Sequence, residues 1–424
     1  MSEAIEKRVL AEVDRRFGDT VEFLRALVRQ PSTLGSERGA QELVLNRLRQ
    51  MGLDAQMWDL DPQVLRNYPG FGRLDISYVS RPNVTALWPA AAPGGKSVIL
   101  NGHIDVVSPE PTSQWEHDPW GAQVEGDWIY GRGAGDMKAG VAAMLLAVEA
   151  VKATGVGLRG DVILESVIEE ECSGNGTLAC GVRGLKADAA IIPEPEGLTA
   201  SLSAVGVFWF RVRVQGRGSH ALSASSAVNA IEAMLPLIGA LRRFEAEKNA
   251  RKHPAPYQDA PHPMNLNLGI LRAGDWPSSV PSECVLEARF ACLPGTPVAQ
   301  AKAELREAIL NAARADAWLG EHPPEVEFFG LDCEPSLTDP ACPPMQVLAG
   351  CHQAVVGQSL AFKPSTATTD ERFFNNYWNT PATAYGPAAE GIHAPDERVS
   401  ISSIANVARV LALFVLRWCR AVLF

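Results

Sequence analysis

The chain has 424 residues, 46% of them hydrophobic, and is therefore long enough to form two domains with separate cores. Its formal net charge of -11 argues against nucleic acid or an anionic membrane surface as the main partner. An anionic substrate would need positive charge placed locally at its own binding site.

The N-terminal segment mixes acidic and basic residues and lacks the apolar stretch of a signal peptide, so we expect no export. The apolar segment 410–416 is far shorter than the roughly 20 residues of a membrane span, which predicts a buried C-terminal helix. The eight cysteines include no C-x-x-C pair, as is typical of reduced thiols. These features predict a cytoplasmic protein without a membrane partner.

Apolar residues recur at helical spacing from Glu3 to Met51 and are interrupted at Pro31, which predicts two N-terminal helices. Short β-branched segments then alternate with glycine turns and with an alanine-rich helix over 137–153. The β-branched segments are 97–107, 161–171 and 188–195. This alternation predicts an α/β domain with a largely parallel, buried sheet.

The pattern changes near Val205, where the segment FWFRVRVQG alternates apolar and polar residues. It predicts a strand with one solvated face and an open edge. A helix over 224–246, a pair of strands and a helix over 297–316 follow, in the order of a small α+β domain. We therefore expect one discontinuous domain over 1–205 and 331–424, interrupted by an inserted domain over 206–330.

Histidine and acidic residues follow the ends of the predicted strands of the larger domain. Ligands of open α/β sheets bind outside the carboxyl ends of the strands, so these side chains are expected to converge. Imidazoles and carboxylates are ligands of zinc, and one shared carboxylate can bridge two ions. The candidate residues are His103, Asp105, Asp136, Glu169, Glu170, Glu171, Glu194 and His393.

Each of these residues has an ordinary structural alternative. A histidine and an aspartate two positions apart are often only a hydrogen-bonded pair, and Asp136 could simply cap the helix that follows it. The segment GRGAGD also begins like a dinucleotide-binding loop, but Asp136 replaces the third glycine and would repel a phosphate. Metal binding is the interpretation that accounts for all of these residues together.

The chain resembles the zinc amidohydrolases and exopeptidases of the M20 type in the motifs NGHIDVV, GRGAGDMKAG, IEEECSGNGT, PEP, GRGSHALSASSAVNAI and GIHAPDERV. Acetylornithine deacetylase, succinyl-diaminopimelate desuccinylase, aminoacylase and glutamate carboxypeptidase typify this family. The resemblance covers nearly the whole chain. It implies a zinc-exopeptidase-like catalytic domain with a mainly parallel sheet, and an inserted ferredoxin-like lid domain that also mediates dimerisation.

The resemblance also implies two Zn²⁺ ions per chain, for which Co²⁺ can substitute, with Asp136 as the bridging ligand. The other ligands would be His103 and Glu194 for one ion, and Glu171 and His393 for the second. The peptide bond that follows Asp136 would be cis.

Two further residues of the larger domain receive roles from the resemblance. Asp105 would orient His103 by accepting its second ring N–H, and Glu170 would be the general base and acid. The family pattern at this strand end is D-E-E, and Glu169 replaces the aspartate. This departure leaves a slip of one residue open.

The inserted domain matches the family less closely. The lid histidine corresponds to His220, which implies oxyanion stabilisation, and we expect it to act in the neighbouring chain's site of a homodimer. Ser279 and Ala291 stand where many members carry an asparagine and an arginine that bind the substrate carboxylate. Arg289, on the same strand face as Ala291, is the candidate to replace that arginine; the alternative is a solvated strand residue.

Together these features predict a binuclear zinc hydrolase that cleaves an amide bond in a small molecule. The main hypothesis is deacylation of an N-acyl amino acid or a related N-acyl amine, as acetylornithine deacetylase carries out. A dipeptidase or carboxypeptidase of the same family is the alternative within the enzymes. A non-catalytic homologue that has lost its metal is the alternative outside them, but it would have no reason to keep five ligand positions and Glu170.

Overall fold

Two large hydrophobic cores are present in the computed structural model, which describes residues 3–422. Residues between Val205 and Cys333 form one of them, and the chain on either side of this segment forms the other. The smaller core therefore belongs to a domain inserted into the larger one.

The larger domain is built on a six-stranded sheet in which three of the five strand pairings are parallel. Strand Val98–His103 is buried along its whole length, as expected for a parallel sheet covered by helices. The two antiparallel pairings lie at one edge. In spatial order the strands are Asp54–Asp59, Pro82–Trp88, Val162–Val167, Val98–His103, Ala190–Ile192 and Ala382–Ala384. The predicted mainly parallel sheet is confirmed.

Helices pack around this sheet, and the alanine-rich helix Ala139–Ala153 contacts both the first and the last of them. The last helix, Ile401–Cys419, is the only one in the described residues that is long and apolar enough to cross a membrane. Most of its residues are buried against other helices, as the sequence predicts. The helices of this domain are Glu3–Val28, Arg38–Gln50, Pro62–Leu65, Ala139–Ala153, Asn175–Val182, Pro343–Val356, Glu371–Tyr377 and Ile401–Cys419.

The inserted domain has the order βαββαβ. Its long helices, Ala230–Asn249 and Val298–Arg314, contact each other and the sheet; the short helix Ala317–Glu321 follows them. Burial alternates along strand Gly206–Gln215, so that one face of the sheet is covered and the other is open. The four antiparallel strands lie in the spatial order Leu266–Ala273, Glu283–Cys292, Gly206–Gln215 and Glu325–Cys333. This is the predicted ferredoxin-like arrangement.

Two expectations for the inserted domain need correction. Gly206–Gln215 lies between two strands of the sheet, so it has no open edge. The edge strands are instead Leu266–Ala273 and Glu325–Cys333. The latter strand is absent from the sequence-based prediction and continues past the expected boundary at 330. Its partner lies far earlier in the chain, and a local pattern does not show such a pairing.

Short strands bring distant loops of the larger domain together. Arg398–Ser400 pairs with Trp128–Tyr130 on one side and with Ala389–Glu390 on the other. The segment that carries His393 is thereby held beside the glycine-rich loop after Tyr130. The remaining short strands of this domain are Gln123–Glu125, Gly157–Leu158, Ala200–Ala204, Ser336–Leu337, Phe362–Pro364 and Ala421–Val422, and those of the inserted domain are Ser219–His220 and Ser279–Val280.

Candidate metal centre

His103 ends a central strand of the larger sheet, and its ring faces two carboxylates. Its Nε2 atom is 3.1 Å from Asp136 Oδ1 and 3.6 Å from Glu194 Oε1. Glu194 follows Ala190–Ile192, the parallel neighbour of the strand that carries His103. The two side chains therefore leave the same edge of the sheet, where ligands of α/β proteins bind.

His393 approaches the same cluster from the loop after Ala389–Glu390. Its Nε2 atom is 3.0 Å from the Glu171 carboxylate and 3.4 Å from Asp136 Oδ2. Asp136 thus presents a different carboxylate oxygen to each imidazole, which is the arrangement of a ligand that bridges two ions. Two imidazoles and three carboxylates fit zinc as a donor set.

Grouping the candidate ligands only by the distances between their ligand atoms gives different sets. The triads whose ligand atoms all lie within 4.8 Å are His103 with Asp136 and Glu171, and His103 with Glu170 and Glu194. The direct contacts link His103 to Asp136 and Glu194, and they link His393 to Asp136 and Glu171. These contacts join specific ligand atoms, and a ligand reaches its ion with a specific atom. They favour the two ligand sets that the family resemblance implies.

The loop that carries Asp136 is held by Glu397, a residue that the sequence does not single out. Glu397 is fully buried and accepts hydrogen bonds from the backbone N–H groups of Gly133, Gly135 and Asp136 at 2.9–3.0 Å. Its Oε2 atom also lies 2.6 Å from Arg132 Nη1. Because Glu397 lies four residues after His393, it connects the segments that carry two of the candidate ligands.

The backbone of this loop requires glycine. Gly133 has a φ of 78°, and a Cβ at this position would lie 2.3 Å from Val106 Cγ1. The peptide bond between Asp136 and Met137 is cis, as the resemblance implies. The glycines therefore shape the turn that presents Asp136, which stands where a dinucleotide-binding loop has its third glycine.

The three consecutive glutamates point in different directions. Glu169 adopts a φ of 68° and turns its buried carboxylate away from the cluster, to Arg81 and to the hydroxyl of Tyr78 at 2.8 Å. Glu170 and Glu171 both line the cleft, and Glu171 contacts His393. The buried ion pair of Arg81 with Glu169 anchors the turn that separates these roles; sequence analysis does not single out Arg81.

Asp105 contacts His103 differently from the expectation. The ring Nδ1 lies 2.9 Å from the main-chain carbonyl oxygen of Asp105, whereas the nearest Asp105 carboxylate oxygen is 3.6 Å away. The carboxylate instead accepts the backbone N–H groups of Glu170 and Glu171 at 3.3 Å and 3.2 Å. Asp105 therefore orients the imidazole through its backbone and fixes the glutamate turn through its side chain.

Several buried carboxyl groups lie close together in the cluster, and this placement shifts the pKa values of its side chains. Burial raises the pKa values of Glu170 and Glu194 well above their ordinary range. Burial lowers the pKa of His393, but hydrogen bonds with Asp136 and Glu171 outweigh it and raise the value to about 11. A cation at this site would replace protons as the charge that compensates the carboxylates.

The cluster forms one wall of a cleft of about 620 Å³, and the inserted domain forms the other. Arg289 lines that second wall, together with Trp209 and Asn267. Ala291 stands where many family members carry an arginine, and it is fully buried in the smaller core. The sequence does not indicate Asn267 as a site residue. In the structure it lies directly opposite Arg289 on the neighbouring strand.

His220 and Ser279 lie away from this cleft. They face each other across the short pairing of Ser219–His220 with Ser279–Val280, and neither is among the described residues that line the cleft. His220 is exposed, and its Nδ1 atom accepts a hydrogen bond from the backbone N–H of Leu222 at 3.0 Å. The structure brings together the candidate ligands, Glu170 and Arg289, but neither of these two lid residues.

The model of the family described as peptidase family M20/M25/M40 matches residues 99–417, most of the chain. The chain belongs to this family. As a member it is a hydrolase that acts on amide bonds.

Two relatives align with almost the whole length of this chain. An N-formyl-4-amino-5-aminomethyl-2-methylpyrimidine deformylase from Halalkalibacterium halodurans is 27% identical over 439 residues, covering 98% of each chain. A succinyl-diaminopimelate desuccinylase from Methylocella silvestris is 27% identical over 409 residues, covering 92% of this chain and 96% of the relative. Both relatives are named for removing an acyl group.

Solved structures share the fold. Human carnosine dipeptidase 1 superposes with a TM-score of 0.76 at 15% identity, covering 98% of this chain and all 100% of the other. A Bacillus subtilis protein described as a dinuclear metal-binding peptidase of the M20 family has a TM-score of 0.62 at 13% identity, covering 96% of this chain and 100% of the other. At these identities the structural matches support the fold alone.

Proposed function

We propose that the protein is a binuclear zinc hydrolase that deacylates an N-acyl amino acid or a related N-acyl amine, as acetylornithine deacetylase does. The observation that carries the proposal is Asp136, which directs one carboxylate oxygen to each of two imidazoles in a cleft shared with Glu170 and Arg289. The relatives named as a deformylase and a desuccinylase support removal of an acyl group from nitrogen.

Two Zn²⁺ ions, or Co²⁺ in their place, would be held on either side of Asp136. His103 and Glu194 complete one ligand set, and Glu171 and His393 complete the other. These residues would hold zinc where it could supply polarisation of an amide carbonyl and a lowered pKa of a bound water molecule. The candidate ligands therefore lie beside the position where the scissile amide would enter the cleft.

Glu170 is the residue that we assign to proton transfer. Its side chain lines the cleft, and burial raises its pKa. A carboxylate in this environment is suited to accept a proton from the attacking water and to return it to the leaving amine. The hydrogen bonds from the Glu170 and Glu171 backbone to Asp105 hold the turn that carries both carboxylates.

Arg289 supports a substrate with an anionic end. Its guanidinium lines the lid side of the cleft, and its Nε atom is buried without a hydrogen-bond partner among the described residues. Burial lowers its pKa, yet an arginine remains charged at neutral pH. A substrate carboxylate would pair with this guanidinium, which favours an N-acyl amino acid over a neutral amide.

The proposal includes a homodimer formed through the lid, in which His220 reaches the neighbouring chain's site and donates to the oxyanion. His220 is exposed and stands outside the cleft of its own chain. The edge strand Leu266–Ala273 exposes Ile270 and Leu271, which pairing across a two-fold axis would cover. All eight cysteines are free thiols, which supports our placement of the enzyme in the cytoplasm.

The test is an activity screen of the zinc-loaded protein. Its substrates are N-formyl, N-acetyl and N-succinyl amino acids, the corresponding N-acyl amines without the carboxylate, and dipeptides. We expect release of the free amino acid, with kcat/KM lower by about 10- to 100-fold when the carboxylate is absent. Faster cleavage of dipeptides would replace the deacylase with a dipeptidase, and a protein that binds no zinc would refute the mechanism.

A further inference from the structure

A second cavity, of about 180 Å³, opens beside the metal cleft on the exposed face of the lid sheet. Trp209, Asn267 and Arg289 line both spaces, so the two adjoin at these three side chains. Nothing in the mechanism above uses this cavity. We call it the lid pocket and define it by the residues Trp209, Asn267, Gly269, Ile270, Glu287, Ala288, Arg289 and Phe329.

The lid pocket is built on a row of directly opposed residues that crosses all four strands of the sheet. In order across the sheet these are Phe329, Trp209, Arg289 and Asn267. The rings of Trp209 and Phe329 meet edge to face, with centroids 5.7 Å apart. The row therefore places an aromatic wall next to a guanidinium and an amide that can form hydrogen bonds.

The lid pocket has its space because Gly269 carries no side chain. The register of strand Leu266–Ala273 shifts between Leu268 and Ile270, and Gly269 lies at this bulge. A Cβ at Gly269 would meet only Asn267 Nδ2 at 3.6 Å and the Glu287 carbonyl oxygen at 3.7 Å, both ordinary contacts. A larger residue would therefore fit the backbone at this position but would fill the pocket.

We propose that the lid pocket binds an aromatic ring on the amine part of the substrate, so that the preferred substrates are N-acyl aromatic amino acids. The inference rests on the proposed function, because the ring must belong to the molecule whose amide reaches the metal ligands. A cavity of about 150 Å³ lined by apolar side chains is large enough for benzene. The lid pocket is somewhat larger, and Trp209 offers the ring an aromatic partner.

Gly269→Leu tests this assignment in the zinc-loaded protein. The substrates are N-acetylphenylalanine, N-acetylcyclohexylalanine and N-acetylalanine, which share the carboxylate for Arg289 and differ only in the side chain. Leu235→Gln is the control variant, because Leu235 lies on the lid helix Ala230–Asn249, is 58% exposed and does not line the pocket. Thermal unfolding of each variant checks that the lid remains folded.

We expect wild-type kcat/KM to be at least about tenfold higher for N-acetylphenylalanine than for N-acetylalanine. It should also be at least about threefold higher than for the cyclohexyl compound. Gly269→Leu should lower the value for N-acetylphenylalanine by about tenfold or more and leave N-acetylalanine within about twofold. Equal losses for both compounds, no loss at all, or equal rates with the cyclohexyl compound would overturn the proposal.

Binding of the product separates this inference from the proposed function. L-phenylalanine titrated into the zinc-loaded protein in a calorimeter should bind at least about tenfold more weakly to Gly269→Leu than to the wild type or to Leu235→Gln. If no N-acetyl compound is hydrolysed, the proposed function fails while this measurement still supports the pocket. Equal affinity of the wild type and Gly269→Leu for L-phenylalanine would refute the pocket in either case.

Discussion

Replacing Glu397 with Gln should destabilise the protein and weaken its metal site together. Glu397 Oε1 accepts the N–H groups of Gly135 and Asp136, while Oε2 accepts Gly133 N–H and pairs with Arg132. The glutamine keeps the shape but turns one oxygen into an amide NH₂, which then faces two donors. It also leaves the buried Arg132 charge without its carboxylate.

Removing one partner of a buried ion pair costs about 3–5 kcal/mol, so we expect a loss of this size in the free energy of unfolding of the metal-free protein. Because Glu397 holds the loop that presents Asp136, zinc affinity should fall by about 10- to 100-fold. Urea unfolding and competitive zinc titration measure the two effects.

Glu390→Gln is the matched control for this experiment. Glu390 pairs with Arg398 on the surface, with 56% of its side chain exposed, and an exposed pair contributes about 0–1 kcal/mol. The control should therefore change neither measurement appreciably. An unfolding free energy of Glu397→Gln within about 1 kcal/mol of the wild type, together with unchanged zinc affinity, would refute the role assigned to Glu397.

Three other predictions concern the proposed mechanism. Glu170→Gln should keep the metal and lower kcat by about 10²- to 10⁴-fold; loss of metal here but not in Glu171→Gln would show a register error of one residue. Elemental analysis should find two transition-metal ions per chain, and full activity with one ion at saturation would exclude a bridging Asp136. Mixing Glu170→Gln with His220→Ala chains under subunit exchange should restore activity, because a mixed dimer combines an intact metal site with an intact His220. Mixed dimers that are shown to form but have no activity would contradict the action of His220 across the interface.

The positions of several candidate ligands can be predicted from the sequence because buried parallel strands have a strong local signature. A β-branched apolar segment that ends in a polar residue places that residue at the carboxyl edge of the sheet, as His103 and Glu194 illustrate. His393 lies in a loop and lacks this signature. Its candidacy depends on the motif around it rather than on strand periodicity.

Residues that hold the ligands in place are harder to predict, because their partners are distant in sequence. Glu169 and Glu171 belong to the same acidic triplet, and only the positive φ of Glu169 and its contact with Arg81 send the two side chains in opposite directions. Asp105 offers both a carbonyl and a carboxylate, and the sequence does not indicate which of them faces His103. The same reason explains the unpredicted fourth strand of the lid, whose pairing is non-local.

The residues that we propose for chemistry and those that we propose for substrate recognition belong to different domains of this molecule. The candidate metal ligands and Glu170 leave the larger domain, whereas Trp209, Asn267 and Arg289 belong to the lid sheet. Since the two cores are separate, substitutions on the lid sheet can change the substrate without moving a metal ligand. Relatives that align along more than nine-tenths of this chain, at 98% and 92% coverage, are named for removing different acyl groups. Gly269→Leu should accordingly change the ratio of kcat/KM values between substrates while leaving zinc content unchanged.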